Sequence, residues 1–157
     1  IKVFAGVIEK IPSELIMIGD GPELDSAKLL VKKMGLDNDV SFVGRSRNID
    51  KFLQESDLFL LPSETESFGL VALEAMSFGT PVISTDSGGL PELVIDGLNG
   101  YTYPVGDINS MIGGALRLLA DSTLYSQFYH NAYLTAKKYN IIDVVGKYEK
   151  AYKNLLS

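Results

Sequence analysis

Short continuous runs of apolar residues recur along this chain, and longer segments with apolar positions at helical spacing separate them. Such runs are typical of strands in a parallel sheet that is buried on both faces. They predict strands at 14–18, 40–43, 58–61, 81–84 and 100–103. The helical spacing predicts helices at 23–34, 48–55, 69–78 and 110–120, with a short one after Gly89. This alternation predicts an α/β fold with a Rossmann-like, doubly wound parallel sheet.

The two ends of the chain depart from this alternation. Beyond Asp121 the spacing of apolar and aromatic residues predicts a helical carboxyl-terminal segment that runs to the end. Residues 1–10 have the pattern of a helix, although a βαβ domain ordinarily opens with a strand. We therefore expect residues 1–157 to be one domain that begins one strand late.

Composition and charge narrow the classes of function. The formal net charge is −6, and the few basic residues are scattered, whereas nucleic-acid binders carry a clustered basic face. No apolar run approaches the roughly 18 residues that a membrane span needs. There is no cysteine, which suits a reducing compartment. These features argue against nucleic acid or a membrane as a partner, and we expect a cytoplasmic protein.

The strongest local signal lies at 62–76, with the sequence PSETESFGLVALEAM. A buried strand ends there, a polar loop follows, and a helix is predicted to start near Ser67. Open α/β sheets bind ligands at the carboxyl ends of their strands. The first N–H groups of a helix at that edge attract phosphate or sugar oxygens, and here we expect free donors on Phe68, Gly69 and Leu70.

Glu66 and Glu74 flank this predicted helix start. Glu66 can accept hydrogen bonds from sugar hydroxyls, and Glu74 follows on an apolar stretch where an unpaired carboxylate is costly to bury. The alternative is that Glu66 merely caps the helix while Glu74 is a half-exposed surface residue. The chemistry of the residues alone leaves both interpretations open.

Three further motifs are weaker. The segment 19–24, GDGPEL, lacks the third glycine of a dinucleotide-binding turn and contains an aspartate and a proline, which argue against NAD or FAD. The segment 37–39, DND, has metal-site spacing but is predicted to be a turn at the opposite edge of the sheet. Gly88-Gly89 fits either a ligand-facing loop or a plain strand-to-helix turn. No metal site and no cofactor are expected.

The segment around Glu66 and Glu74 resembles the signature of the retaining glycosyltransferase family four, whose members have the GT-B fold. The resemblance extends over nearly the whole chain, in blocks that follow the family order. These blocks are 18–23, 42–44, 56–63, 79–82, 88–92 and 96–100.

The resemblance implies a role for each candidate residue. Glu66 would touch the donor sugar near the reacting carbon, and Glu74 would bind the ribose hydroxyls. Arg45 and Ser46 would lie along the nucleobase. The remaining donor-binding residues would be Ser67, Phe68, Gly69 and Leu70, which hold sugar and diphosphate through backbone N–H groups, and Gly19 and Gly21, which line the crevice.

The resemblance also implies what the chain does. It would be the donor-binding domain of a transferase that moves a sugar from a nucleotide-diphosphate sugar, with UDP-N-acetylglucosamine favoured, to a small-molecule or glycan acceptor. The first strand and the amino-terminal acceptor domain of the family would lie outside it, so we expect the chain alone to be inactive. A nucleotide-sugar epimerase of the same fold and a non-catalytic sugar-nucleotide-binding module remain as alternatives.

Overall fold

The structure is a computed structural model, and it describes residues 1–139, Val145 and 152–154. Strands and helices alternate as the sequence predicts. The strands are β1 (Leu15–Ile18), β2 (Val40–Gly44), β3 (Phe59–Leu61), β4 (Val82–Thr85) and β5 (Gly100–Tyr103). The helices are α1 (Lys2–Ile8), α2 (Leu24–Met34), α3 (Asp50–Glu55), α4 (Leu70–Ser77), α5 (Leu90–Leu93), α6 (Ile108–Ala120) and α7 (Ser122–Lys138). The predicted Rossmann-like α/β fold is confirmed.

The strands pair in parallel throughout, but among the described residues they form two groups. β1 pairs with β2, and β3, β4 and β5 follow one another in a second sheet. The first helix packs on both groups. Its residues Val3 and Val7 join the core cluster of Ile83 in β4, while Phe4 joins the cluster of Val40 in β2. α1 therefore bridges the two groups of strands.

Burial differs between the two groups, and here the expectation of strands buried on both faces is only partly correct. β4 is buried at every position. In β1 the exposed residues Ile16 and Ile18 alternate with half-buried ones, because Leu15 and Met17 face the core cluster beneath α1 while the other face is open. The central strand β4 thus carries the two-sided burial that the apolar runs predicted for all strands.

Helices cover both faces of the β3–β4–β5 sheet. Ile83 and Tyr101 pack with α6 in one cluster, and Val82 packs with α4 and α5 in another. α7 packs against both α4 and α6. Because β3 and β4 end beneath the start of α4 and α5, the loops after these strands lie side by side at the carboxyl edge of the sheet.

The helical carboxyl-terminal segment is confirmed up to Lys138, where α7 ends. The rest of the prediction falls mostly on residues 140–144, 146–151 and 155–157, which lie outside the described residues. Among the described residues, no helix is both long enough and apolar enough to cross a membrane.

Candidate functional site

The loop between β3 and α4, residues 62–69, holds the candidate catalytic carboxylate; we call it the Glu66 loop. The helix that follows begins at Leu70, one residue after the start of the predicted span 69–78 and three residues after the start near Ser67 that the motif indicated. Gly69 is the N-cap, with φ of +77°, in the left-handed region that residues with a Cβ avoid. The loop therefore turns sharply at Gly69 before the helix starts.

The carboxylate of Glu66 occupies part of this helix start. Its Oε1 accepts hydrogen bonds from the backbone N–H groups of Ser67, at 3.0 Å, and Gly69, at 3.2 Å. The expectation of a free N–H on Gly69 is therefore wrong, because the neighbouring glutamate satisfies it. Within the described chain no acceptor contacts the N–H groups of Phe68 and Leu70. These two remain available to an anion or a sugar oxygen.

Glu74 lies on the exposed surface of α4, and among residues 1–139 its carboxylate forms no hydrogen bond or ion pair. Burial cost therefore does not constrain where this side chain points, contrary to the argument from its apolar neighbours. The side chains of Phe68 and Leu70 are also largely exposed, at 48% and 62%. Glu66, by contrast, is half-buried. The candidate site is thus an open surface around one partly sheltered carboxylate.

A second group of candidate residues lies at the ends of β1 and β2. The N–H of Gly19 donates to the carbonyl of Gly44 at 2.9 Å. Arg45 Nε lies 3.1 Å from Asp20 Oδ2 in an exposed ion pair, a kind of contact worth about 1 kcal/mol at most. The loops after the two strands are therefore held together at this edge.

Ser46 and Gly21 make only local contacts at the same edge. The hydroxyl of Ser46 contacts the backbone of Asn48 at 3.2 Å, and the carbonyl of Gly21 accepts from the N–H of Leu24 at 3.1 Å. The structure brings Gly19, Arg45 and Ser46 together, and separately Glu66 to Glu74. No hydrogen bond or ion pair joins the two groups within residues 1–139.

The part of the sequence that contains the Glu66 loop carries negatively charged side chains and no positively charged ones. Between Lys51 and Arg117 the sequence contains no Lys, Arg or His. The same stretch carries nine carboxylates: Glu55, Asp57, Glu64, Glu66, Glu74, Asp86, Glu92, Asp96 and Asp107. An anion bound at the start of α4 would thus meet backbone N–H groups but no side-chain cation from this stretch. The nearest basic residues in sequence are Arg45, Arg47 and Lys51.

The other weak motifs are structural. Residues 37–39 form the turn that leads into β2, as predicted, and among the described residues no group of three or more potential metal ligands occurs. The Gly88-Gly89 pair lies against the backbone of Glu66 and Ser67. Sequence reasoning missed this contact, because nothing in the local pattern links residues more than twenty positions apart.

Comparison with known proteins identifies the family. Residues 1–135 match the sequence profile of the family described as "Glycosyl transferases group 1". The chain is 37% identical over 157 residues to the N-acetyl-alpha-D-glucosaminyl L-malate synthase of Bacillus anthracis, an alignment that covers 99% of this chain and 41% of that protein.

Solved structures show the same relationship. The HepE protein of Anabaena, crystallised in complex with UDP and glucose, superposes with a TM-score of 0.84 at 28% identity, over 98% of this chain and 43% of that one. The C-terminal domain of a group 1 family protein (LpcC) from Francisella tularensis superposes with a TM-score of 0.79 at 31% identity. That alignment covers 89% of this chain and 77% of the domain. The chain thus spans about two fifths of the first two relatives, 41% and 43%.

Proposed function

Because this chain belongs to the group 1 glycosyl transferases, we propose that it is the donor-binding part of a retaining glycosyltransferase. The whole protein would move a sugar from a nucleotide-diphosphate sugar to an acceptor hydroxyl. The observation that supports this most directly is the half-buried Glu66 at the start of α4, beside the unpartnered N–H groups of Phe68 and Leu70. A carboxylate and N–H donors at one helix start suit a ligand that carries both hydroxyls and a diphosphate.

In this proposal each element of the site has one task. The N–H groups of Phe68 and Leu70 bind diphosphate or sugar oxygens, and Glu66 accepts from a sugar hydroxyl near the reacting carbon. Glu74 binds the ribose hydroxyls. The edge of Gly19, Gly21, Arg45 and Ser46 lies along the nucleobase. Donors aimed at the charge that develops on the leaving diphosphate supply much of the catalysis, and no metal ion takes part.

The donor that we favour is UDP-N-acetylglucosamine. The HepE structure contains UDP and glucose, and the name of the Bacillus anthracis relative specifies an N-acetylglucosaminyl group. UDP-glucose, GDP-mannose and ADP-glucose are the other candidates. The acceptor would bind in the part of the protein outside this chain, and we place the reaction in the cytoplasm.

The charge distribution supports weak donor binding by the isolated chain. Residues 52–116 offer no cation to a diphosphate, and charge-assisted hydrogen bonds from cations are worth about 1.5–3 kcal/mol each. Each missing cationic partner therefore weakens binding by about one to two orders of magnitude. We therefore expect millimolar affinity for nucleotides and no transferase activity from this chain alone. Robust turnover by the isolated chain would contradict this expectation.

An NMR titration of the labelled chain tests the donor site. UDP, GDP, ADP, NAD and UDP-N-acetylglucosamine would be added separately at millimolar concentrations. We expect selective shifts for UDP and its sugar conjugate at Arg45, Ser46 and the amides of Ser67 to Leu70. Equal responses to all five compounds, or shifts confined to other surfaces, would argue against the proposed site.

Kinetics of the whole protein test the division of tasks. Glu66→Ala should lower kcat, because Glu66 acts near the reacting carbon, whereas Glu74→Ala should mainly raise the KM for the donor. Equal changes of both parameters in both variants would show that this assignment of roles is wrong.

The two alternatives are separable by simple assays. A nucleotide-sugar epimerase would convert the donor without any acceptor, so product analysis in the absence of acceptors distinguishes it. A non-catalytic module would bind nucleotide sugars but consume none, and Glu66→Ala would then change affinity alone.

A further inference from the structure

We propose that Thr85 and Ser87, together with Gly88 and Gly89, are positioning residues that hold the Glu66 loop at the start of α4. The proposal rests on the proposed function, because it assigns these residues to the same donor site. They lie at the end of β4 and in the turn that follows it, residues 85–89, which we call the glycine turn. The sequence marked the two glycines only as a weak motif and did not mark the two hydroxyl residues.

Two side-chain hydroxyls of the glycine turn bind the backbone of the Glu66 loop. The hydroxyl of Thr85 donates to the carbonyl of Ser63 at 2.5 Å, and the hydroxyl of Ser87 donates to the carbonyl of Glu64 at 2.9 Å. Thr85 is only 1% exposed, so water does not replace its hydrogen bond readily. Ser87 is half-buried.

The two glycines extend this contact towards the carboxylate. A Cβ on Gly88 would overlap the carbonyl oxygen of Glu66, and a Cβ on Gly89 would lie 2.9 Å from the carbonyl oxygen of Ser67. Gly88 also has φ of +56°, which favours glycine independently. Only residues without a side chain let the two backbones approach this closely.

The contacts between the glycine turn and the Glu66 loop follow the same order along both segments. From Thr85 to Gly89 the partners run in order from Ser63 to Ser67, and Leu90 then contacts the position of Gly69. The Glu66 loop has no sheet pairing of its own, since β3 ends at Leu61 and α4 begins at Leu70. Within the described residues, the glycine turn supplies the long-range hydrogen bonds of the loop's carbonyls. The position of Glu66 thus depends on the glycine turn.

This dependence has a kinetic consequence. Misplacement of a catalytic group by about 1 Å can cost on the order of a hundredfold in rate, without a matching loss of ground-state binding. Thr85→Val keeps the shape of the side chain but removes the donor to the carbonyl of Ser63. We expect it to lower kcat about tenfold to a hundredfold with a KM change of at most about threefold. Ser87→Ala, at a more accessible bond, should lower kcat by a smaller factor.

The test uses the whole protein for kinetics and this chain for NMR. Thr85→Ser retains the hydroxyl and should restore kcat, whereas a purely structural effect of lost packing would not be rescued by the smaller residue. Ser126→Ala is the control for loss of a serine hydroxyl, because Ser126 donates a hydrogen bond to the carbonyl of Ser122 at 2.8 Å within α7, away from the site. In the ligand-free chain, Thr85→Val and Ser87→Ala should shift the amide signals of Ser67 and Gly69, and Ser126→Ala should not.

The outcomes separate the two proposals. If the wild-type protein transfers sugar while Thr85→Val and Ser87→Ala leave kcat and the two amide signals unchanged, the positioning role is overturned. It is also overturned if Thr85→Ser is as impaired as Thr85→Val. If the amides shift as expected but the wild-type protein neither binds nor transfers nucleotide sugars, the proposed function fails while the contact itself stands.

Discussion

Glu66 Oε1 lies 3.2 Å from the backbone nitrogen of Gly69, so the candidate catalytic carboxylate binds the residue that directly precedes the first turn of α4. Of the two interpretations left open by the sequence, the helix cap is not what the structure shows, because Glu66 binds the N–H groups of Ser67 and Gly69 and none within α4. In the ligand-free chain Glu66 satisfies donors that a diphosphate would otherwise use. Donor binding then requires the carboxylate to move or to share them.

Because Glu66 and a diphosphate compete for the same N–H groups, removing the Glu66 side chain should increase the affinity for UDP. A hydrogen bond contributes about 1 kcal/mol net, and 1.4 kcal/mol corresponds to tenfold in affinity. Glu66→Ala should therefore bind free UDP about fivefold more tightly than the wild-type chain, because it also removes a negative charge. NMR titration measures both affinities, with Glu64→Ala as a control that removes a neighbouring charge but keeps the hydrogen bonds of Glu66 to Ser67 and Gly69. Equal gains in both variants would indicate that charge alone is responsible.

The left-handed backbone conformation of Gly69 implies that replacing this glycine should destabilise the fold. Alanine there would be strained by the positive φ and would place its Cβ 2.7 Å from Leu90 Cδ2. Gly69→Ala should lower the free energy of unfolding by about 1–3 kcal/mol. Gly113→Ala is the control, since its Cβ would meet nothing within 4 Å on the exposed face of α6, and it should raise stability by about 0.5–1 kcal/mol. Urea denaturation measures both, and a neutral Gly69→Ala would contradict the strain argument.

Asn99 connects the loop before β5 to α7 and should be critical for stability. Its fully buried side chain accepts from the N–H of Ile95 at 2.8 Å and donates to Leu93 O at 2.9 Å and Thr135 Oγ1 at 3.0 Å. Asn99→Ala leaves these groups unpaired and should cost about 2–4 kcal/mol. The control, Asn131→Ala, removes one exposed bond to Leu98 and should cost less than about 1 kcal/mol. Thermal and urea unfolding would show whether the two differ.

Two tyrosines with raised pKa values should make the folded chain less stable at alkaline pH. Burial, assisted by Asp57, raises the pKa of Tyr125 above its ordinary value of 10.0, and burial with Asp96 raises the pKa of Tyr103. As the pH rises past about 10, the unfolded chain releases these protons before the folded chain does, so the free energy of unfolding falls. The stabilisation is complete below that pH and is lost as the pH rises through the folded-state pKa values.

The double variant Tyr103→Phe/Tyr125→Phe tests this linkage. It should show a shallower loss of stability between about pH 9 and about pH 11 than the wild-type chain. Denaturant titrations across that range supply the comparison, each normalised to its own value at neutral pH. Parallel profiles for the two proteins would exclude these tyrosines as the cause.

The elements of the fold were accessible from the sequence because the signals for them are local. The apolar run at 100–103 coincides with β5, and the helix predicted at 23–34 ends at Met34, before Gly35 in the left-handed conformation. Element ends were less accurate: α4 begins at Leu70 and not near Ser67, because the backbone turns at Gly69, whose φ of +77° is not helical. The division of the described strands into two groups was not predicted.

For the candidate site, the sequence by itself determined which residues carry the chemistry. Glu66, Glu74 and the amides of the following helix stand within one short segment, and residue type and spacing were enough to single them out. Only the tertiary structure decided what holds them, because the partners of Ser63 and Glu64 are Thr85 and Ser87 on a neighbouring strand end. A hydroxyl that donates to a carbonyl 22 residues away leaves no local pattern, since strand pairing alone brings the two together.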